Sequence, residues 1–265
     1  MTRFEPKHLR KAILDMAYAG STVHIPCAFS IVEIVSVLYS NFLKFSDDPE
    51  YVDRDYCVLS KGHGVMALYA CFKEIGWLGD EALKNYFKDG TKLKGLSDCH
   101  VPGLEVTSGS LGHGLSVAVG IALGLKLKNS QQKVFCIVGD GESNEGTIWE
   151  ALLFAAHWKL NNLVVIFDCN GFQAMGKTTE IMNLGSMQNK LKSFEFETVE
   201  LNGHDVHALT TNLEKLLSSK SEQPKAIIAN TIKGYGVSFM ESQNVWHYTR
   251  LNEEKYNMAL KELGY

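Results

Sequence analysis

Asp140 stands between Gly139 and Gly141, and Asn170 follows thirty residues later, just before Gly171. A carboxylate and a carboxamide oxygen are hard donors. They suit Mg²⁺ or Ca²⁺ rather than zinc. Two protein side chains are too few for an all-protein cage, and Mg²⁺ commonly completes its shell with ligand phosphates and water. Flanking glycines permit a tight turn and close approach by a ligand. A helix starting just after the first turn adds partial positive charge for a phosphate. Alone, Asp140-Gly141 or Asn170-Gly171 is an ordinary turn. The two become a site only if the fold brings them to one place.

The surrounding elements supply that condition. KVFCIV (133–138) and NLVVIFD (162–168) are continuous apolar runs, as expected of strands buried on both faces. IWEALLFAAHWKL between them reads as a helix, which makes a βαβ unit with parallel strands. Both polar ends then emerge on the carboxyl edge, where ligands bind in open parallel sheets. YCVLS (56–60), FETVEL (196–201) and PKAIIANTI (224–232) read as further strands. Helices are expected at KHLRKAILDMAYAG, ending at Gly20, and at SIVEIVSVLYSNFL, with Ser30 as N-cap. Others are expected at GHGVMALYACFKEIG, residues 80–90, LSVAVGIALGLKLKN, VHALTTNLEKLLSS and the chain's last residues. The pattern predicts an α/β class, a parallel sheet with helices on both faces, and one domain over 1–265.

Bulk composition agrees with an ordinary globular chain: 265 residues, 45% apolar, 21% charged, net charge −4. No basic tract resembles a nucleic-acid footprint. No apolar run approaches the ~18 residues of a membrane span, and the N-terminus lacks a signal-peptide core. Neither nucleic acid nor membrane is therefore an expected partner. The six cysteines form no C-x-x-C pair and read as scattered thiols of a reducing cytoplasm. No G-x-G-x-x-G follows an early strand, which disfavours a nicotinamide dehydrogenase.

GDG followed about thirty residues later by Asn resembles the thiamine-diphosphate signature. LSKGHGVMALYA (59–70), PGLEVTSGSLGHGLSVAVGIALG (102–124), GDGESNEG (139–146) and NTIKGYGVSFME (230–241) are similar, in this order, to transketolase segments. The resemblance implies the thiamine-diphosphate-binding fold and covers the pyrophosphate-binding half of that family. The chain thus looks like the N-terminal subunit of a split transketolase. The resemblance implies thiamine diphosphate with Mg²⁺ or Ca²⁺ as cofactors. It also implies a C-terminal pyrimidine-binding partner subunit, two copies of each in a heterotetramer, and sugar or sugar-phosphate substrates.

The resemblance assigns Asp140, Asn170 and the Phe172 carbonyl to the metal. It places Gly139, Gly141 and Lys233 at the diphosphate, and Gly109, Ser110 and Leu111 against the cofactor rings. Glu145 matches a glutamate that relays protons toward the cofactor. His63 and His247 match histidines facing cofactor and substrate. His24, in GSTVHIP, departs by one residue from the family's spacing. Leu96 occupies the place of a further family histidine, and His100 is the candidate replacement. His113, His157, His204 and His207 read as structural or exposed. These imidazoles are expected to move protons near neutral pH. Alternatives on the same fold are a subunit of another thiamine enzyme, of deoxyxylulose-phosphate-synthase or 2-oxoacid-dehydrogenase type, and a non-catalytic subunit that binds only cofactor or partner.

Overall fold

The computed structural model describes residues 4–265. Five strands form one parallel sheet: β1 (Tyr56–Leu59), β2 (Val134–Gly139), β3 (Leu163–Cys169), β6 (Glu197–Asn202) and β7 (Lys225–Asn230). Their order is β1-β2-β3-β7-β6. A small antiparallel hairpin, β4 (Phe172–Gln173) and β5 (Gly176–Lys177), follows β3. The helices before β2 are α1 (Pro6–Ala19), α2 (Ile25–Phe29), α3 (Val32–Val37), α4 (Met66–Ile75), α5 (Asp80–Lys84) and α6 (His113–Leu127). After it come α7 (Gly146–His157), α8 (Thr178–Ile181), α9 (Met187–Ser193), α10 (Val206–Ser218) and α11 (Glu253–Glu262).

Strand alternation sorts the core into two layers. Phe135 and Ile137 of β2, with Val164 and Ile166 of β3, pack with buried residues of α1, α3, α4 and α10. Val134, Cys136 and Val138, with Leu163, Val165 and Phe167, pack with those of α6 and α7. Both faces of the central strands are buried, which is why they read as unbroken apolar runs. The predicted fold class is therefore the observed one.

Register then fixes the functional edge. Gly139 pairs with Asp168, and Asp168 with Ala229. Leu59 pairs with Ile137, so Ser60 and Lys61 leave β1 at the same edge. Among the described residues no helix is long and apolar enough to cross a membrane. All six cysteines are free thiols.

One expected helix is reorganised. SIVEIVSVLYSNFL breaks into α3 and a π-helical turn at Leu38–Phe42, and α2 precedes it. Ser30 does not cap α3. Its one O–H is directed instead to Asp168 Oδ2 at 2.7 Å, with Cys27 O 3.1 Å from the same hydroxyl oxygen. A serine before an apolar period mimics a cap in sequence, but a buried carboxylate from a distant strand claims the hydroxyl.

A buried ion cluster ties α1 to α3. Arg10 donates from Nη1 and Nη2 to the two oxygens of Glu33, at 2.6 and 2.8 Å. His204 Nε2 accepts from Ile232 N at 2.8 Å, so Nδ1 carries the proton and donates to Glu33 Oε2 at 2.9 Å. Burial pushes the Glu33 carboxyl up, but the hydrogen bonds from His204 and Arg10 prevail and hold it below its ordinary value. A depressed carboxylate stabilises the fold above its unfolded value of about 4.3 and loses that contribution as pH falls through the folded value. Glu33→Gln leaves Arg10 buried without its counter-charge. In denaturant titrations at pH 7 it should cost about 3–5 kcal/mol, with the difference from wild type shrinking below about pH 4.

Candidate active site

Asp168 is the floor of the site. Its side chain is fully buried at the end of β3. It accepts from Lys61 Nζ at 2.5 Å, from Ser30 Oγ at 2.7 Å, from Asn170 Nδ2 at 3.0 Å, and from the Thr231 hydroxyl. Burial acts to raise this carboxyl, yet Lys61 and the hydroxyl donors hold it below its usual range. Lys61 is as deeply buried and also donates to Cys27 O at 3.1 Å. Burial lowers the Lys61 ammonium, but Asp168 more than restores it. The pair is an ionised contact inside the protein, satisfied on every side.

Above it sits the second carboxylate. Asp140 Oδ1 accepts from Gly141 N at 2.8 Å and Oδ2 from Gly171 N at 2.7 Å, joining the β2 and β3 turns. Burial and the Asp168 charge nearby push the Asp140 carboxyl up to about 7. Asp140 has no ion-pair partner among the described residues, whereas Asp168 is neutralised by Lys61. Asn170 Oδ1 faces the following turn, accepting from Phe172 N at 3.0 Å. A half-buried carboxylate in want of positive charge beside an amide oxygen fits a hard divalent cation.

Gly141 has a reason within the protein itself. A Cβ there would stand 2.6 Å from Gln173 Cβ, so the β4 hairpin can close over the turn only on glycine. Glu142, buried, stitches the rest of the edge. It accepts from Ser60 Oγ at 2.6 Å, Gly112 N at 2.8 Å and Gly139 N at 3.1 Å. That ties the ends of β1 and β2 to the start of α6.

A cavity of about 490 Å³ opens over this floor. Three imidazoles cluster on its wall: ring centroids of His24, His63 and His247 lie 5.5, 5.0 and 5.8 Å apart pairwise. His24 is held in a left-handed conformation, φ 68°. Burial, then the Lys233 and Lys61 cations, lowers His24 to about 4 and His247 to about 3. His63 is pulled well below its ordinary value, again by burial first. At pH 7 these rings are therefore neutral. Lys233 Nζ stands 2.9 Å from His247 Nδ1 and 3.1 Å from Asn244 Oδ1. An ammonium donating to Nδ1 leaves the His247 proton on Nε2.

Gly109, Leu111, Gly139, Asp140, Gly141 and Glu145 also line the cavity, as do Asn170 and Phe172. Glu145 is an exposed residue at the start of α7 and makes no side-chain capping bond. Lys233 is fully buried behind His247 rather than on the wall. Ser110 is exposed and off the wall. His100 is not brought to the cavity. It lies on an exposed loop with Nδ1 2.7 Å from Asp98, while Leu96 occupies the wall. His204 is the structural residue that bonds Glu33, and His113, His157 and His207 are exposed. Lys61, Glu142, Cys27 and Gln173 also line the cavity, and sequence reasoning did not single them out.

Residues 7–265 match the model of the transketolase family's thiamine diphosphate binding domain. The chain is 37% identical over 258 residues to one subunit of the apulose-4-phosphate transketolase of Actinobacillus succinogenes, covering 96% of this chain and 92% of that one. It is 35% identical over 257 residues to a 6-deoxy-6-sulfo-D-fructose transketolase subunit from Clostridium sp., covering 96% and 93%. The crystal structure of transketolase from Campylobacter jejuni superposes with a TM-score of 0.91 at 29% identity. That likeness covers 98% of this chain and 42% of the Campylobacter chain, so this chain spans less than half of it. The parallel sheet and its polar carboxyl edge, together with the family match, define a thiamine-diphosphate-binding domain of the α/β class. Within that class the chain belongs to the transketolase family, as the N-terminal, pyrophosphate-binding part of a transketolase-type enzyme.

Removing one member of the buried pair should expose how much the site depends on it. Asp168→Asn leaves Lys61 charged and uncompensated, and should cost about 3–5 kcal/mol in urea unfolding. Adding Lys61→Met to it should recover part of that loss, because the stranded charge goes too.

Proposed function

We propose that this chain is the pyrophosphate-binding subunit of a two-component transketolase. With a pyrimidine-binding partner it would transfer a two-carbon ketol unit from a ketose to an aldose. The observation that carries the reading is the convergence of Asp140 and Asn170 beneath three neutral imidazoles in one cavity. The Actinobacillus relative is itself one subunit of its enzyme and has nearly this chain's length, which supports a separate partner chain. We infer a heterotetramer of two copies of each, in the cytoplasm.

Asp140, Asn170 and the Phe172 carbonyl would hold Mg²⁺ or Ca²⁺, and the metal would hold the diphosphate. Gly139 and Gly141 let it come near the backbone. When bound, thiamine diphosphate supplies an electron sink for breaking a carbon–carbon bond beside a carbonyl. Gly109, Ser110 and Leu111 are proposed to seat its rings. Lys233 would act at one remove, fixing the His247 ring through Nδ1. Neutral His24, His63 and His247 can each donate at one nitrogen and accept at the other. They would orient sugar hydroxyls and pass protons to oxygens that gain charge as the bond breaks. Glu145, exposed on the rim, would meet a partner and complete a proton path. His100, off the wall, is left without a role in substrate contact, and Leu96 offers an apolar contact in its place.

The Actinobacillus and Clostridium relatives are named for sugars carrying a phosphate or a sulfonate. We infer a substrate of that anionic kind for this chain.

Asp140→Ala tests the reading. Thiamine diphosphate binding, followed by calorimetry with excess Mg²⁺, should weaken at least about 100-fold, in line with loss of a metal ligand's support. Transketolase activity of the reconstituted complex should vanish while partner association persists. Full activity of the variant, or robust activity of the wild-type chain without a partner, would overturn the proposal.

A further inference from the structure

The loop 97–108 carries three residues for which the proposed mechanism has no use: Asp98, Cys99 and His100. It starts just after Leu96 and ends just before Gly109, two residues of the cavity wall. Its neck is closed. Ser108 N donates to Ser97 O at 3.0 Å, Ser97 N to Gly62 O at 3.1 Å, and Ser97 Oγ to Val106 O at 2.9 Å. The Ser108 hydroxyl donates to Leu59 O at 2.8 Å, at the end of β1. The loop is thus a compact excursion with both ends fixed at the sheet edge.

Val101 N donates to Asp98 O at 3.0 Å, which closes a β-turn. The turn brings a ring nitrogen of His100, Cys99 Sγ and an Asp98 oxygen within 4.8 Å of one another. Among the described residues this is the one group of three cysteine, histidine, aspartate or glutamate side chains so close together. Local contacts hold it in place. Asp98 Oδ1 accepts from His100 N at 3.0 Å and lies 2.7 Å from His100 Nδ1. Thr107 Oγ1 accepts from Cys99 N at 3.1 Å and stands 3.2 Å from Cys99 Sγ. The three side chains are therefore gathered before any ion arrives.

The donor set differs from that of the Asp140–Asn170 pair. Thiolate and imidazole are soft or intermediate ligands, which favour zinc over magnesium or calcium. Tetrahedral zinc, with bonds of about 2.0–2.3 Å, holds its ligands roughly 3.3–3.6 Å apart. Small rotations of these side chains reach that spacing. Cys99 and His100 are exposed, so an ion can enter from solvent. Cys99 is also the one exposed cysteine of the six. Cysteine is among the most often buried residue types, and this one is kept at the surface beside an imidazole and a carboxylate.

We propose that Asp98, Cys99 and His100 form a zinc site, with water in the fourth position. It lies off the wall of the cofactor cavity and does not rest on the transketolase reading. The metal would cross-link the loop tip and stiffen the segment that ends on Leu96 and Gly109.

The test titrates the full chain, with thiols reduced and in excess Mg²⁺, with Co²⁺ and then Zn²⁺. Mg²⁺ competes at hard oxygen sites and spares this one. Co²⁺ should bind one equivalent and give the near-ultraviolet charge-transfer absorption of a cobalt–thiolate bond, with the strong visible bands of tetrahedral coordination. Zn²⁺ should bleach both, saturate at micromolar metal and slow amide hydrogen exchange across 98–107. C99S should abolish the charge-transfer absorption. D98N and H100Q should each weaken zinc binding at least about tenfold, since loss of even an outer partner of a ligand costs that much. D140A should leave zinc binding unchanged, which separates this site from the proposed cofactor site. No charge-transfer absorption in the wild type, its survival in C99S, its loss in D140A, or zinc binding only at millimolar metal would overturn the site.

Discussion

An ion pair buried at the carboxyl end of the sheet is the constraint on which the site depends. Lys61 and Asp168 are both almost wholly removed from water. In a low-dielectric interior neither could remain charged alone. Their pairing has two consequences. It fixes the ends of β1 and β3 against each other, and with Ser30 and Thr231 it recruits α2 and the segment after β7. It also engages Lys61 with Asp168, which leaves Asp140 without an ion-pair partner of its own among the described residues.

That division of labour explains why two aspartates near one another behave differently. Asp168 is held ionised by Lys61 and hydroxyl donors. Asp140 has only backbone N–H partners and is pushed toward the neutral form. A divalent cation would invert that push. The same buried cations act on the cavity wall, where Lys61 and Lys233 help to keep His24, His63 and His247 uncharged. Neutral imidazoles offer both a donor and an acceptor, which suits sugar hydroxyls better than imidazolium would.

Much of this was legible in the chain before its structure. The runs that became β2, β3 and β7 are apolar throughout because both faces are covered. The glycines around Asp140 and the asparagine at 170 mark their carboxyl ends. The Asp140–Asn170 half of the site follows from those local patterns. Lys61, Ser30, Thr231 and Glu142 were not legible as partners. They come from separate segments and meet only through strand register, which no local spacing encodes. Ser30 looked like a helix cap because capping and long-range hydrogen bonding use the same side chain. His100 illustrates the opposite limit. Its residue type suited the chemistry, but the loop turns it to Asp98 and solvent and gives the wall to Leu96. Two-residue strands such as β4 and β5 carry no periodic signal, yet their hairpin closes over Gly141.

The central claim is that the edge formed by β2 and β3 grips a metal and, through it, a diphosphate. A crystal structure of the chain grown with thiamine diphosphate and Mg²⁺ tests it most directly. The account predicts one metal bound by the Asp140 carboxylate, the Asn170 amide oxygen and the Phe172 carbonyl, with the diphosphate beside Gly139 and Gly141. A diphosphate seated elsewhere, with Asp140 and Asn170 free of metal, would contradict it.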